Sequence, residues 1–529
     1  AAAQTPAPAA GAPAGAASAP ANRGYDPLAL PPSQTPDFVL RELQLPKLST
    51  VSEAELDALV LPHLRQTLDA ARRRQIAEQL RALLESRGLV LAGVAVRTVD
   101  AAQGIARVVV IEPRVGRIDV PPVDDAPIGE AHVMGLLAGN GIQGGTLLDL
   151  NALDTTMFML NDLPGVSVKA NLLPSGDDGV FDLALERKAR KAYDAAIDAD
   201  NHGSRFSGRA RLGAFARWNN PSRSGDNLDL RLLGAVEGGL LVGRLAYERP
   251  LGATPWRGSV ALSHITYELG AELAPLEPTG QADILELALT RPLIRSRERN
   301  LIGRLSLDHK KAQDEFAIQG TRVDKTLTNL SAGLSVEARD RVGGGGYNGG
   351  SATLQVGRLD IKTPDASQLD AELKRRATQG SFAKLSLQGS RLQAIVPNWT
   401  GYIGLTAQWA DKNLDSSEKF TLGGPQGVRA YPAGDTAADR GAILSLELRR
   451  AFGAAWSVFG LLDAGTAKVQ ARPVAGADNT RSLHGYGLGV YFNDPELFTV
   501  RATLAVRGNQ EPQTDTSRER FYIQVQRAF

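Results

Sequence analysis

In Ala442-Ile443-Leu444-Ser445-Leu446-Glu447-Leu448, the residues Ala442, Leu444, Leu446 and Leu448 share one side of an extended chain. Ser445, Glu447 and the following Arg449 share the other. Side chains alternate across a β-strand, so this stretch is a strand with one apolar and one charged face. Leu228-Asp229-Leu230-Arg231-Leu232 repeats the texture. From about Arg190 to Phe529, segments of roughly ten residues alternate this way between clusters of Gly, Pro, Asn, Asp and Ser, with no helical interruption expected. A soluble sandwich also alternates, but here the charges take the inner phase and Leu, Val and Ala the outer one. That pattern fits an all-β transmembrane barrel with a polar interior. At roughly 21 residues per strand and turn, the region holds about 16 antiparallel strands. The last segment, Phe521-Tyr522-Ile523-Gln524-Val525-Gln526-Arg527-Ala528-Phe529, alternates too and reads as the closing strand. Arg527 breaks its apolar phase near an end, where a membrane interface tolerates charge better than the midplane.

The chain has 529 residues, with Lys+Arg 59 against Asp+Glu 58. So even a balance gives no support to a nucleic-acid partner, whose phosphates attract basic surfaces. No run of about 18 apolar residues is present, so no transmembrane helix is expected; a barrel hides its apolar band in alternate positions. There is no Cys. The start at Ala1-Ala2-Ala3-Gln4 lacks Met and a charged-then-apolar leader, which suits either a mature exported chain or an arbitrary boundary of the sequence.

Residues 1–36 form an Ala/Pro/Gly tract that includes Pro6, Pro8, Pro13, Pro20, Pro27, Pro31, Pro32 and Pro36. Such a tract forbids a long helix and buries no core, so it reads as a disordered linker. Residues 37–115 read as one small α+β domain. Phe38–Leu45 is a strand, Ser52 and Glu55 form a capping box, and Ile76, Leu80, Leu83 and Leu84 make a helical stripe. Leu89–Val96 and Ile105–Ile111 are strands. Residues 116–188 repeat the β-α-α-β-β order, with helices at Ile128–Leu137 and Leu153–Leu160. The barrel takes 189–529. Asp200, Asn201 and Gly203 read as turn chemistry leading from the second α+β domain into the first barrel strand. The basic runs Arg72-Arg73-Arg74 and Arg187-Lys188-Ala189-Arg190-Lys191 read as a solvated helix face and a linker.

Within the barrel, Gly427-Val428-Arg429-Ala430-Tyr431-Pro432 lies in a Gly/Pro/Asp-rich loop, and Leu461-Leu462-Asp463-Ala464-Gly465 lies on a later strand. An arginine on the loop and an aspartate on the strand would pin the loop inside the barrel. Glu447 also points inward by phase and is a second partner for Arg429. Gly423, Gly424 and Pro425 shape the turn. No G-x-x-x-x-G-K-[ST], H-E-x-x-H or G-x-S-x-G occurs, and the six His are scattered. No enzyme, cofactor or metal is expected.

These residues resemble the two-partner secretion transporters (TpsB family), relatives of the BamA-type barrel assembly proteins. Asp200-Asn201-His202-Gly203, Phe206-Ser207-Gly208, Arg211, Asn219-Asn220-Pro221 and Gly225-Asp226 are similar to the family's barrel-opening segment. Arg291-Pro292-Leu293-Ile294-Arg295-Ser296-Arg297 is similar to its Pro-Leu-x-Arg-Ser turn, and Leu160–Val166 to its second periplasmic domain. Gly427–Tyr431, with Gly434-Asp435, Asp439, Gly441 and Glu447, is similar to its sixth extracellular loop and the strand after it. The resemblance covers most of residues 38–529. It implies a 16-stranded barrel behind two periplasmic POTRA domains, with the loop at about 423–441 folded into the pore. It implies that Arg429, in a V-R-G-Y/F motif ending here at Tyr431, meets Asp463 of an F-x-D-x-G motif ending at Gly465. Ala430 stands where the motif has glycine, and Leu461 where it has an aromatic. The family's N-terminal plug helix is expected to be missing or very short. The implied function is outer-membrane translocation of a dedicated exoprotein. The implied partners are the unfolded client, outer-membrane lipid and lipopolysaccharide, with a single chain sufficient to close the barrel. The alternative is a factor that inserts other outer-membrane proteins.

Overall fold

The computed structural model describes residues 36–529 apart from 317, 319, 374–376, 474, 475, 477, 495 and 509. The linker expected at 1–36 and the expectation about a plug helix therefore lie, but for Pro36, outside the described residues. The chain divides at Arg190/Lys191 into an α+β unit and a barrel unit.

The first half of the α+β unit comprises β1 (Phe38–Val39), β2 (Glu42–Gln44), α1 (Glu53–Val60), β3 (Thr67–Leu68), α2 (Ala70–Ser86), β4 (Gly93–Asp100) and β5 (Ile105–Ile111). The single strand expected at Phe38–Leu45 is broken because the chain changes partners there. β1 pairs with β3, whereas β2 runs parallel to β5 in the sheet β2-β5-β4. Fully buried Leu40 occupies the break. The Ser52/Glu55 capping box opens α1. In α2, Ile76, Leu80 and Leu84 recur at helical spacing and are buried, together with Leu56 and Val108. The basic run in α2 is not wholly solvated: Arg73 is buried, donates to the Pro36 carbonyl at 2.9 Å and lies over the Phe38 ring. Its hydrocarbon stem completes the core while its head satisfies a backbone oxygen.

The second half comprises β6 (Arg114–Asp119), α3 (Glu130–Gly139), α4 (Leu150–Asn161), β7 (Val166–Pro174) and β8 (Val180–Ala189), with sheet order β6-β8-β7. Asp149 caps α4 by accepting from the Asn151 and Ala152 amides, so this helix starts three residues before the apolar period at Leu153. Val133, Leu137, Leu153 and Leu160 pack against Val166, Val168, Leu183 and Leu185. Arg187 is again a buried exception in a basic run. It donates to the carbonyls of Ile128 at 2.8 Å and Pro121 at 2.7 Å, tying β8 to the segment before α3.

The barrel strands are β9 (Tyr193–Asp200), β10 (Arg211–Asn219), β11 (Asn227–Ala235), β12 (Leu240–Pro250), β13 (Arg257–Glu268), β14 (Pro278–Arg295), β15 (Arg299–Phe316), β16 (Thr321–Asp340), β17 (Gly346–Ile361), β18 (Gly380–Val396) and β19 (Trp399–Ala410). After β20 (Phe420–Thr421) and β21 (Ala437–Ala438), which pair only with each other, come β22 (Arg440–Phe452), β23 (Trp456–Lys468), β24 (Thr480–Asn493), β25 (Thr499–Arg507) and β26 (Glu519–Ala528). Every barrel neighbour is antiparallel, and β26 pairs with β9 to close a ring of the expected sixteen strands. Leu285, Leu287 and Leu289 of β14 point outward, while Glu286 points inward to pair with Arg304. Two expectations are corrected. The region is not free of helix, since α5 (Pro364–Glu372) lies between β17 and β18. Asp200 to Gly203 do not precede the first strand: β9 already ends at Asp200, whose carboxylate accepts both Nε and Nη2 of Arg211 on β10 at 2.8 and 3.0 Å.

Candidate functional site: a pinned loop in the barrel lumen

The connection from β19 to β22 turns back into the lumen. Its tip is a compact knot in which the Gly424 amide donates to the Tyr431 carbonyl at 3.0 Å, Val428 to Leu422 at 2.9 Å, and Tyr431 to Val428 at 3.0 Å. Gly424 has φ +112, a backbone state that side chains disfavour, so the glycine-rich turn has a steric cause. Phe420, Leu422, Val428, Ala430 and Tyr431 from the loop then pack on Ile443, Ala467, Leu483 and Ala505 of the inner wall. Gly465 makes that approach possible: a Cβ there would lie 2.7 Å from Leu422 Cδ1.

Packing brings Arg429 to the wall, where it is 4 % exposed. Its Nε and Nη2 donate to Asp463 Oδ2 and Oδ1 at 2.7 and 2.8 Å, and its backbone amide to Oδ2 at 3.1 Å. Its Nη1 donates to Glu447. Asp463 and Glu447 are 3 and 6 % exposed. Parallel Arg–carboxylate bonds of this kind are charge-assisted and directional, and removing one partner of a buried pair strands the other charge at a cost of about 3–5 kcal/mol. Tyr431, with no exposed surface, donates its hydroxyl to the Gln510 carbonyl at 3.1 Å. The Tyr522 hydroxyl of β26 donates to the Tyr431 carbonyl at 2.9 Å.

Arg429, Tyr431, Glu447, Asp463 and Gly465 thus meet in one place. Alanine is accommodated at 430, where the motif has glycine. Its backbone is outside the left-handed region, and its methyl fits against Gly485 of β24, where a Cβ would sit 2.3 Å away.

Sequence reasoning missed two further arginines. Glu447 also accepts from Arg449 Nε at 2.9 Å and Arg501 Nη2 at 3.1 Å. Arg449 lies over the rings of Tyr402 and Tyr491, and Arg501 over Tyr491 and Phe459. Three cations thus share two carboxylates, with aromatic faces taking the surplus. The inner phase of Arg449 was visible beside Glu447; that of Arg501 needed the strand register. Asp435 accepts from the Gln513 amide at 2.7 Å, and Asp439 accepts from Lys419 Nζ and the Ala471 amide, both at 2.8 Å. This arrangement holds a segment in place and presents no nucleophile.

Residues 179–492, more than half of the chain, match the family described as haemolysin secretion/activation protein ShlB/FhaC/HecB. The chain belongs to that family. It is an outer-membrane transporter of two-partner secretion, a β-barrel channel that passes a partner exoprotein. The heme/hemopexin transporter protein HuxB of Haemophilus influenzae (strain ATCC 51907 / DSM 11121 / KW20 / Rd) is 24% identical over 413 residues, covering 77% of this chain and 72% of HuxB. The outer membrane transporter CdiB of Dickeya dadantii is 21% identical over 438 residues, covering 78% of this chain and 73% of CdiB. Among solved structures, CdiB from Escherichia coli superposes with a TM-score of 0.74 at 17% identity, over 94% of this chain and 91% of that one. BamA from Haemophilus ducreyi lacking POTRA domains 1-3 gives 0.54 at 13% identity, over 93% of this chain and 100% of that one. The transporter carries two small α+β units, where two POTRA domains were expected, before its barrel.

Proposed function

We propose that the loop Asp411–Asp439 gates this transporter, that the POTRA domains lie in the periplasm, and that they hold one dedicated, unfolded exoprotein as an added strand. The observation that supports gating is the Arg429 cluster. A loop tip held by a buried arginine and two carboxylates occupies space a client must cross, so passage requires a release that the client triggers and that re-seating reverses. A tip that cannot be held at Asp463 leaks but no longer couples opening to the client. Capture draws support from β7. It is the outer strand of β6-β8-β7, and among the described residues no strand pairs with its far edge. The Asn161 side chain covers that edge at Val168, bonding both its amide and its carbonyl; Ala170 and Leu172 follow in the same phase. Such an edge binds an extended chain through main-chain hydrogen bonds with little sequence demand. Folding of the client outside then supplies direction without nucleotide. One chain closes the barrel, so a monomer suffices, with lipid and lipopolysaccharide around it.

The absence of Cys makes a direct test clean. Asp435→Cys with Gln513→Cys, two positions joined by a 2.7 Å hydrogen bond, ties the inturned loop to the connection between β25 and β26 when oxidised. Secretion that stops on oxidation and returns with reductant is the expected result. Undiminished secretion through the tethered barrel would remove the gating role.

A further inference from the structure

The arm of the loop that precedes the tip carries a separate set of buried ion pairs. Glu418 accepts from Lys310 Nζ of β15 at 3.1 Å, Lys384 Nζ of β18 at 2.7 Å and Gln355 Nε2 of β17 at 2.9 Å. Asp415 accepts from Lys325 Nζ of β16 at 2.8 Å. Lys325 is shared with Asp314, also at 2.8 Å, and Lys310 reaches Ser417 Oγ at 3.0 Å. Glu418 is 8 % exposed, and Lys325 and Lys384 are each 9 % exposed. None of these groups touches the Arg429 cluster, whose partners lie on β22, β23 and β25. The arm is therefore held on one arc of the wall and the tip on another.

Burial gives this separation an energetic consequence. A lysine ammonium so far out of water is tolerable only when paired. If the arm withdrew, Lys310 and Lys384 would lose their Glu418 carboxylate together, while Lys325 would keep Asp314. Breaking the Arg429 pairs alone leaves these contacts intact, and the reverse also holds.

We infer that Glu418, with Asp415 beside it, is a second positioning anchor of the loop, and that the wide-open pore requires release of both anchors. The inference rests on the gating reading above. Arg429 holds the tip; Glu418 holds the arm against β15 to β18. Either anchor alone keeps the loop within the lumen, so loss of one gives a partial opening.

The test is single-channel conductance of the full chain in planar bilayers, comparing wild type, Arg429→Ala, Glu418→Gln and the double variant. Each single variant is expected to show small, brief openings. The double variant is expected to spend at least about tenfold more time in a large-conductance state than either single variant. Lys310→Gln with Lys384→Gln removes the same contacts from the wall and should reproduce Glu418→Gln, which covers the case where one variant fails to assemble. Glu418→Lys combined with Lys310→Glu and Lys384→Glu restores pairing with reversed sign and should quiet the channel again, which a mere packing role would not produce. If Glu418→Gln and the wall variant change nothing in either background while Arg429→Ala opens the pore, the second anchor is refuted and gating stands. If Arg429→Ala and the double variant both match wild type, gating itself fails, and this inference with it.

Discussion

Arg429 does its work through geometry as much as charge. It satisfies Asp463 through two guanidinium nitrogens and Glu447 through a third, which a lysine ammonium on a flexible stem cannot reproduce. Arg429→Lys is therefore expected to reduce secretion nearly as far as Arg429→Ala, with barrel levels in the outer membrane unchanged; immunoblots of medium and membrane fractions read both. Ala430 and Gly485 form a matched pair of small residues. Gly485→Ala places a methyl 2.3 Å from that of Ala430 and should unseat the tip and lower secretion several-fold. Ala430→Gly in the same chain should restore most of it, but not all, because the Val506 carbonyl oxygen stays 3.0 Å from the new methyl. No recovery would mean that the two do not press on each other. Arg429, Glu447 and Asp463 could be grouped from the sequence because strand phase and a motif marked them. The partnership of Glu418 with lysines 34 and 108 residues away could not, because it depends on a strand register that no local pattern reveals.

At the scale of elements, the strands were legible because period-two alternation is strong where one face meets lipid and the other a polar lumen. The buried arginines of the POTRA domains were not legible, since a basic run looks the same whether or not one member turns inward. Arg187→Ala would leave two carbonyls without their donor and should destabilise the second POTRA domain by roughly 1–3 kcal/mol; hydrogen exchange of α3 and β8 in the full chain measures this. An effect confined to surface amides would contradict it. At α1, the Ser52 amide and hydroxyl, with Arg87 beyond them, hold the Glu55 carboxyl below the usual carboxylate range. A depressed folded-state pKa means stability that is present above the unfolded value of about 4.3 and lost as pH falls through the lower folded value. Protection of the α1 amides, corrected for intrinsic exchange, should therefore begin to fall as pH drops below about 5 and continue to fall through the lower folded value. Glu55→Gln should flatten that dependence, and an unchanged pH profile in this variant would argue against it.

The whole molecule joins an α+β unit to a closed barrel, and this division follows from where apolar surface can be hidden. The POTRA domains bury theirs between helices and small sheets, while the barrel turns leucines such as Leu285 and Leu287 outward and keeps its ion pairs within. Family and fold could be read from the chain because motif order and alternation agree over most of its length. The client could not, because the proposed capture by strand addition through a backbone edge asks little of sequence. The most direct measurement is quantitative mass spectrometry of culture medium and outer membrane from source cells that carry the intact chain, lack it, or carry Arg429→Ala. The account predicts that one large protein disappears from the medium in both altered strains, while the other outer-membrane barrels stay at normal abundance. Broad loss of those barrels, with no single secreted protein affected, would contradict it and indicate a membrane-protein assembly factor.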